Sequence, residues 1–473
     1  MQAVFEGGLF IKSLLHAHSL GLLIFVVLLI TISSLSVLSG EDFNVETTPL
    51  RDFSNQRLSG SAPSVSGFVV TTTTASGMNV EIEAQVDGNG EPYSSPLDFF
   101  VERDSKSDNP SLYRGGFNRS GAYPTEYIFT KPRYNWTYKG KGKFSTSPVV
   151  YNKLIYLVSR DGLLRCIETW SGKQKWYCRA DGKITSPVDV VDGTVYFGTS
   201  RGFFYGIGHK NGSHKFRIRC YDQPGRAEIA NISANISSQS ITSIIVSRDS
   251  AYIGTSTGFI YALDLPRIAV KWKTDEKDHF FRLSSAHTDE TGLLIAGNGK
   301  NCVTALNIVD GSVAWSHKTR NAIKHSLSIL GEAVYYGGFS DPVTALHLHS
   351  GKKMWSFRQM GLIAHPLSVG TAGVYFTSGK KFIYGLNFWN GRQLWRESLS
   401  DQILSPPVVV GETLLFGCYN NYLYGIDTKT GNRLWKIRTG HPVELSPVAA
   451  DGYLYFVNMY GELKSFSYRF RGE

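Results

Sequence analysis

The chain has 473 residues, of which 13% are aromatic and 48 are glycine, a composition typical of many short strands joined by tight turns. Its five cysteines include neither an adjacent pair nor a C-x-x-C, which excludes zinc ribbons and covalently bound haem. Residues 1–110 hold 5 Lys/Arg against 13 Asp/Glu, so residues 111–473 hold 44 against 26, a net charge of +18. This balance indicates either a surface for an acidic partner or polyanion, or simple colloidal solubility. No nucleic acid partner is predicted, because the cations are dispersed along the chain.

A charge-free apolar run, Leu20–Leu38, is the first predicted element. Its nineteen residues, at about 1.5 Å each, just span a bilayer core of about 30 Å. Lys12 before the run and acids after it predict that residues 1–19 are a short cytoplasmic tail and that the rest is extracellular or luminal. We interpret the run as an uncleaved transmembrane signal-anchor. A signal peptide cleaved after Ser39 is the alternative, which would make the protein secreted.

Residues 40–110 contain Ser/Gly/Pro clusters and scattered acids, so we expect a disordered acidic stalk there. Five N-x-S/T sequons follow the apolar run, which predicts a glycosylated luminal domain in a eukaryotic host. The candidate N-glycosylation sites are Asn118, Asn135, Asn211, Asn231 and Asn235. Asn135 adjoins a core Trp, which argues against its modification.

Residues 111–473 contain a repeat in which five of seven steps between successive aromatic residues are 40 residues long. The repeated residues are Trp136, Trp176, Trp272, Trp315, Trp355, Trp395 and Trp435, with Phe216 in the remaining position. A glycine stands four residues before most of them, and a small residue such as Gly425 stands ten residues before. Period-2 apolar runs lie between. Each unit therefore holds four short strands, the size of a propeller blade.

Each repeated position has a physical reason. The glycine supplies a positive φ in the turn before the last strand. We expect the small residue to be required because neighbouring blades press face to face. The tryptophan would then bury about 150–250 Å² between adjacent blades and dock one blade on the next.

Counting the repeats predicts how the ring closes. Seven aromatic residues end seven complete blades, and the stretch from about Glu444 to Tyr468 has three strands without a Trp strand. Arg133–Lys139 has a Trp strand with nothing before it, so it completes the eighth blade and removes an exposed edge. The predicted fold is therefore all-β: a monomeric eight-bladed β-propeller at residues 111–473, preceded by one transmembrane helix.

The repeat resembles the PQQ-like (pyrroloquinoline quinone repeat) propellers of the quinoprotein alcohol dehydrogenase type. The likeness covers about residues 111–470, and the clearest copy of the motif is Tyr422–Trp435. By its size and lack of further domains, the chain is most similar to the BamB-like scaffolds of outer-membrane protein assembly, although no lipid-anchor cysteine follows the apolar run. This resemblance implies a non-catalytic, membrane-tethered scaffold that binds a protein partner on one rim.

The family's enzymes imply the alternative function, a PQQ-dependent quinoprotein oxidoreductase with calcium, an Asp base and a vicinal disulfide. The inner strands that line the channel offer instead Ser147, Ser186, Ser284, Ser326, His365, Ser405 and Ser446. Such residues do not make a hard-cation site. Asp189 and Glu444 are isolated acids, and His325 with His365 lacks a third ligand. We therefore predict no catalytic, cofactor-binding or metal-binding residue, and no PQQ.

Three departures from the repeat leave alternatives open. An insertion at Arg219–Gln239 is either a contact site on one rim or a tolerated surface loop. Ile268 stands where the other turns have glycine. Cys178 and Cys220 fall on successive outer strands, where a disulfide and two free thiols are both compatible with the pattern.

Overall fold

The computed structural model describes residues 44–46, 67–73, 79–85, 120–123, 130–220, 239–247, 249–274, 280–287, 292–298, 301–323, 326–339, 341–370 and 372–468. The chain forms two compact units, Met1–Glu102 and Arg103–Glu473. The predicted anchor at residues 20–38 lies outside the described residues. Within them, no helix is long and apolar enough to cross a bilayer.

The first unit contains a three-stranded antiparallel sheet of β1 (Asn44–Glu46), β2 (Gly67–Thr73) and β3 (Asn79–Gln85). Strand β2 pairs along its whole length with β3, from Gly67 opposite Gln85 to Thr73 opposite Asn79. Valine, isoleucine and threonine are frequent in β2 and β3, and β-branched residues favour extended backbone. These three segments therefore differ from the disordered stalk expected at residues 40–110, and the rest of that stalk lies outside the described residues.

The second unit is a ring of four-stranded antiparallel sheets. Two strands precede the first complete blade: β4 (Ala122–Tyr123) and β5 (Arg133–Lys139). Blade 1 consists of β6 (Val149–Tyr151), β7 (Leu154–Val158), β8 (Leu163–Glu168) and β9 (Gln174–Arg179). Blade 2 consists of β10 (Asp189–Val191), β11 (Thr194–Gly198), β12 (Phe203–Gly208) and β13 (His214–Arg219). Blade 3 consists of β14 (Ile241–Ser247), β15 (Ser250–Thr255), β16 (Ile260–Asp264) and β17 (Ala269–Lys273).

The remaining blades repeat the same order of strands. Blade 4 consists of β18 (Phe280–His287), β19 (Leu293–Asn298), β20 (Cys302–Asn307) and β21 (Val313–Lys318). Blade 5 consists of β22 (Ser328–Leu330), β23 (Ala333–Tyr336), β24 (Val343–His347) and β25 (Lys353–Phe357). Blade 6 consists of β26 (Ser368–Gly370), β27 (Gly373–Ser378), β28 (Phe382–Leu386) and β29 (Gln393–Ser398). Blade 7 consists of β30 (Val408–Val410), β31 (Thr413–Gly417), β32 (Tyr422–Asp427) and β33 (Arg433–Arg438).

Blade 8 joins both ends of the propeller. Its first three strands are β34 (Val448–Ala450), β35 (Tyr453–Val457) and β36 (Glu462–Ser467), and its outer strand is β5. Strand β5 runs antiparallel to β36, with Trp136 opposite Ser465. The predicted eight-bladed, all-β architecture and its composite last blade are thus confirmed.

The register explains the small residue of each repeat, and the reason differs from the expected one. Gly425 lies directly opposite Trp435 in the same blade, and a Cβ at Gly425 would come within 2.3 Å of the Trp435 ring. The same pairing recurs in the other blades, as with Ala305 opposite Trp315. The small residue therefore makes room for its own blade's tryptophan, rather than for the neighbouring blade.

The other face of each tryptophan lies against the next blade. A Cβ at Gly431 of blade 7 would meet the Trp395 ring of blade 6 at 2.8 Å. Gly431 also has a φ of 76°, and the equivalent Ile268 adopts φ 51° without being glycine. The turn glycine thus serves two purposes: the predicted positive φ and close contact with the preceding blade.

The tryptophans and the tyrosines of the second strands share acceptors in the following blade. The Trp395 Nε1–H donates to the Thr428 carbonyl oxygen at 2.8 Å, and the Tyr375 hydroxyl donates to the same oxygen at 3.2 Å. Indole donors and acceptors are matched in the same way for Trp136 and Thr169, Trp176 and His209, Trp272 and Ile308, Trp315 and Leu348, and Trp355 and Phe388. Buried polar groups are costly unless paired, so these bonds fix the position of each blade.

The hydrophobic core is divided among the gaps between blades. Val158 of blade 1 and Phe197 of blade 2, for example, belong to one cluster of buried side chains. Cys178 and Cys220 are buried as free thiols, so the open alternative of a disulfide between them is not adopted. Cys220 lies at the start of the insertion, most of which lies outside the described residues.

Candidate functional site, one rim of the propeller

Successive strands of a blade alternate in direction, so the propeller has two distinct rims. The first rim carries the turns between strands one and two and between strands three and four. The second rim carries the turns between strands two and three and the loops that connect successive blades. Rim loops can bind partners while the strands hold them in place.

Two serines of the inner strands, Ser186 and Ser405, form hydrogen bonds within their own blades. The Ser186 Oγ accepts a hydrogen bond from the Gly198 amide at 2.7 Å and donates to the Pro187 carbonyl oxygen at 2.7 Å. Ser405 repeats the arrangement with the Gly417 amide at 2.8 Å. Both hydroxyls therefore join the segment before the first strand to the end of the second strand, whereas the buried Ser446 Oγ has no hydrogen-bond partner within the described residues.

The chain itself occupies part of the channel. Strand β4 lies parallel to β30, the innermost strand of blade 7. The Ser120 carbonyl oxygen accepts from the Val369 amide of blade 6 at 2.7 Å, and the Gly121 carbonyl oxygen accepts from the Val409 amide of blade 7 at 2.8 Å. Ser120 is 4% exposed. The sequence did not predict this short strand, which covers the inner edges of two blades.

The residues of the channel do not fit the calcium and quinone site of the family's enzymes. Asp189 is fully buried, Glu444 is exposed, and the His365 Nδ1 lies 2.9 Å from the Thr377 Oγ1. Within the described ranges, no three His, Cys, Asp or Glu side chains come close enough together to hold a metal. His325 lies outside those ranges. We therefore derive no step through a quinone, and the absence of a cofactor stays a prediction.

One backbone hydrogen bond recurs on the second rim. In six blades, the amide of a residue in the turn between strands two and three donates to the carbonyl of a residue in the loop before that blade's first strand. The donors and their acceptors are Arg160 to Lys143 (2.9 Å), Ser200 to Lys183 (2.8 Å), Ser256 to Ser240 (2.7 Å), Gly379 to Leu362 (3.1 Å), Tyr419 to Gln402 (2.9 Å) and Met459 to Pro442 (2.9 Å). The backbone of this rim is therefore nearly constant, while the side chains that it presents vary from blade to blade.

Blades 5 to 8 present large apolar side chains on the second rim, which we call the apolar sector. They are Phe339, Met360, Leu362, Tyr419 and Tyr460, with exposures of 55, 68, 44, 57 and 69%. Exposed Met, Phe and Tyr side chains grouped on one surface are typical of protein interfaces.

The loops that carry the apolar sector are tied to one another. The Gln359 side chain beside Met360 donates to the Asp341 carbonyl oxygen at 3.2 Å, next to the turn of Phe339. At the far end, the rings of His441 and Tyr460 lie 4.1 Å apart. The loops at the two ends of the sector are therefore held in place by contacts with neighbouring loops.

Blades 8, 1 and 2 present cations on the same rim, which we call the cationic sector. It consists of the exposed side chains of Lys141, Lys143, Arg160, Arg179, Lys183 and Arg201. None of the six makes an ion pair with another described residue. The outer strands add to the positive charge: those of blades 7, 8, 1 and 2 contain ten Lys/Arg and no acid.

Two ion pairs on the first rim each join the two turns of one blade. Lys429 lies 2.5 Å from Glu412 in blade 7, and His349 lies 3.1 Å from Glu332 in blade 5. This rim also has exposed tryptophans, of which Trp170 is 69% exposed. Trp170 and three lysines line a shallow groove of about 260 Å³ beside blade 2.

The sequons are placed on different parts of the fold. Asn135 is exposed in the outer strand β5, and Asn211 is exposed in a turn where its Oδ1 accepts from the Ser213 amide at 3.2 Å. Asn118, Asn231 and Asn235 lie outside the described residues.

The sequence analysis did not identify the apolar sector. The signal that could have identified it is the presence of large apolar residues at turn positions of the repeat, such as Tyr419 and Tyr460.

Comparison with known proteins agrees with the repeat. A family model described as outer membrane protein assembly factor BamB matches residues 132–279 and 339–469. The outer membrane protein assembly factor BamB of Moranella endobia (strain PCIT) is 22% identical over 208 residues, which are 40% of this chain and 50% of that protein. The chain thus matches this curated relative over about half of the relative's length.

Solved structures share the fold at low sequence identity. BamB from Moraxella catarrhalis superposes with a TM-score of 0.58 at 15% identity, covering 73% of this chain and 99% of that one. Quinohemoprotein alcohol dehydrogenase from Comamonas testosteroni gives a TM-score of 0.65 at 13% identity, covering 80% and 83%. An assembly factor and a dehydrogenase therefore share this architecture, and function has to be argued from the residues.

Proposed function

Because the chain belongs to the PQQ-repeat propeller family whose model is described as outer membrane protein assembly factor BamB, we propose that it is a non-catalytic interaction scaffold. In this proposal the propeller stands on the extracytoplasmic side of a membrane and binds a protein partner. The relatives named for assembly of outer-membrane proteins support a scaffolding role.

The apolar sector is the observation that carries the proposal. Five large apolar side chains stand at least 44% exposed, and backbone hydrogen bonds fix the loops of four of them, Met360, Leu362, Tyr419 and Tyr460. Preorganised apolar side chains bind a partner without the cost of ordering a flexible loop. The second rim is therefore the proposed binding surface.

Site-specific photo-crosslinking in the native cells tests the choice of rim. A benzophenone amino acid replaces Tyr419 or Tyr460 on the second rim, and Trp170 or Trp389 on the first rim as matched aromatic controls. Tyr460 and Trp170 have the same exposure, 69%, so accessibility to solvent does not bias the comparison. We expect discrete adducts from the second rim alone. Adducts from both rims alike, or from neither, would contradict the proposal.

The membrane attachment is proposed from the apolar run at residues 20–38, with residues 1–19 in the cytoplasm. Extraction of native membranes with alkaline carbonate tests it, since an anchored chain stays in the pellet. N-terminal sequencing of the mature protein distinguishes the anchor from a cleaved signal peptide. A mature N-terminus at residue 40 would show that the protein is secreted.

A quinoprotein oxidoreductase is the second candidate, favoured by the shared fold with quinohemoprotein alcohol dehydrogenase. Titration of the purified full-length chain with pyrroloquinoline quinone and calcium tests it. A spectral change together with quinone-dependent reduction of a dye would establish the enzyme and refute the scaffold as the sole function.

A further inference from the structure

The cationic sector is built twice from the same local structure. Lys143 and Lys183 stand 40 residues apart, at the same position in the loops before blades 1 and 2. Each accepts, through its carbonyl oxygen, the recurring backbone bond from the following turn, at 2.9 and 2.8 Å. Those turns carry Arg160 at the donor position and Arg201 one residue after the donor Ser200. A Lys–Arg pair is therefore repeated in two neighbouring blades.

The acids of this region are neutralised by other cations. Asp161 is bound by the guanidinium of Arg165, whose Nη2 lies 2.9 Å from the Asp161 Oδ2. Burial opposes ionisation of Asp161, but hydrogen bonds from Arg165, Ser159 and the Leu163 amide hold its pKa below the usual value. Asp181 is paired with Arg217. Within the part of the chain that the structure describes, the six exposed cations of the sector are thus left without an acidic partner.

Bare backbone connects the two Lys–Arg pairs. A Cβ at Gly162 would lie 3.1 Å from the Gly182 carbonyl oxygen, and a Cβ at Gly182 would lie 3.0 Å from the Arg201 Cγ. Both glycines have a positive φ, of 82° and 92°. The turn of blade 1 therefore touches the loop before blade 2, and that loop touches Arg201, with glycine at each contact.

We infer that the cationic sector binds an extended acidic peptide, an Asp/Glu-rich segment of the protein partner. The inference rests on the proposed scaffold function and names the chemistry of its partner. Carboxylates spaced along an extended chain can reach the cations of blades 1 and 2 in turn, and Arg160 and Arg201 can each form bidentate bonds with one of them.

The neighbouring surface favours a protein over other polyanions. The apolar sector on the same rim combines the aliphatic side chains of Met360 and Leu362 with three exposed aromatic rings, a mixture typical of protein interfaces. A partner that covers both sectors would be held by its apolar contacts and steered by its charge, because complementary charges mainly raise the association rate.

Binding of a fluorescently labelled oligoglutamate peptide to the purified full-length protein tests the inference. Fluorescence anisotropy measures the affinity of the wild type and of a variant with Lys143→Glu, Arg160→Glu, Lys183→Glu and Arg201→Glu. We expect the variant to bind at least about tenfold more weakly, and wild-type binding to weaken as salt is raised. If this variant does not fold, the same four positions are changed to Gln, which removes the charge without reversing it.

A matched control separates the sector from the overall charge. Lys173→Glu, Lys175→Glu, Lys210→Glu and Lys352→Glu change the same number of exposed cations on or beside the first rim. We expect their combined variant to stay within about twofold of the wild type. Equal loss in both variants would overturn the inference, as would tighter binding of heparin or phosphatidylserine vesicles than of the peptide. If the peptide does not bind as expected but crosslinks form at Tyr419 and Tyr460, the acidic-peptide inference is refuted and the proposed scaffold function is retained. If those crosslinks do not form, the proposed scaffold function itself is refuted.

Discussion

Trp136 and Tyr455, from opposite ends of the propeller chain, donate hydrogen bonds to one acceptor, the carbonyl oxygen of Thr169, at 2.9 and 3.5 Å. Their rings are 6.0 Å apart. The two side chains belong to the composite blade 8, and Thr169 belongs to blade 1. Closure of the ring therefore depends on the same indole-to-carbonyl contact that joins blades 1, 3, 4, 5 and 6 to the blade after each of them.

Trp136→Ala is expected to lower the free energy of unfolding by about 3 kcal/mol. The substitution leaves a cavity and removes the indole N–H that donates to the Thr169 carbonyl oxygen where blade 8 meets blade 1. Thermal and urea unfolding of the purified protein measure this. The control is Trp170→Ala, since Trp170 is 69% exposed and its removal should cost at most about 0.5 kcal/mol. Equal stability of the two variants would show that the closure does not depend on the indole.

Gly431→Ala is expected to destabilise the protein by about 2 kcal/mol or more, since the new methyl group is strained at φ 76° and also meets Trp395 at 2.8 Å. Gly331→Ala is the matched control, with φ 53° and nothing within 4 Å of its Cβ. The control should cost only the backbone strain of about 1 kcal/mol. Chemical denaturation of both variants gives the difference, and a Gly431→Ala variant no less stable than the control would contradict the docking contact.

Alkaline pH is expected to weaken the fold through its buried thiols. Burial raises the pKa of Cys166, Cys220 and Cys418 to about 12 from the ordinary value of 9.0. Between pH 9.0 and about 12, the unfolded chain releases thiol protons that the folded chain keeps. The contribution of these thiols to the free energy of unfolding is therefore full below pH 9.0 and falls as the pH rises towards 12. Urea unfolding between pH 8 and pH 10 measures the slope, which should be shallower in Cys220→Ala than in the wild type. An unchanged slope would mean that folding does not raise the pKa of the Cys220 thiol.

Glycosylation is expected to distinguish two sequons that are both exposed. In a glycosylating host, Asn211 should be modified because it lies in an open turn, whereas Asn135 lies in strand β5 beside the buried edge of Trp136. Asn211→Gln and, separately, Ser213→Ala should each remove one glycan, as seen by gel mobility and mass spectrometry. Removal of a glycan by Asn135→Gln instead would reverse the assignment.

Much of the fold could be predicted because its constraints repeat along the sequence. The tryptophan, the turn glycine and the small residue recur at fixed spacing, and one missing Trp strand identified Arg133–Lys139 as the outer strand of blade 8. The reason for the small residue could not be predicted, since it depends on which residue lies across the sheet. Gly425 and Trp435 face each other only because of the register between β32 and β33.

The candidate site was harder to predict than the fold. The residues of the two sectors occupy loop positions at which the repeat fixes the backbone and leaves the side chain unconstrained. Tyr419 and Arg160 hold equivalent backbone positions but differ in every chemical respect. The strand β4 has two residues, too few to show any periodicity.

The way in which the chain enters the ring has a mechanical consequence. A load pulling on the segment before Ser120 would first meet the parallel pairing of β4 with β30 and the bonds from Val369 and Val409. Beyond it, the antiparallel hydrogen bonds between β5 and β36 would be pulled along the strand direction, so that several would have to break together. Tension applied from the N-terminal side would thus be shared by blades 6, 7 and 8 before the ring could open.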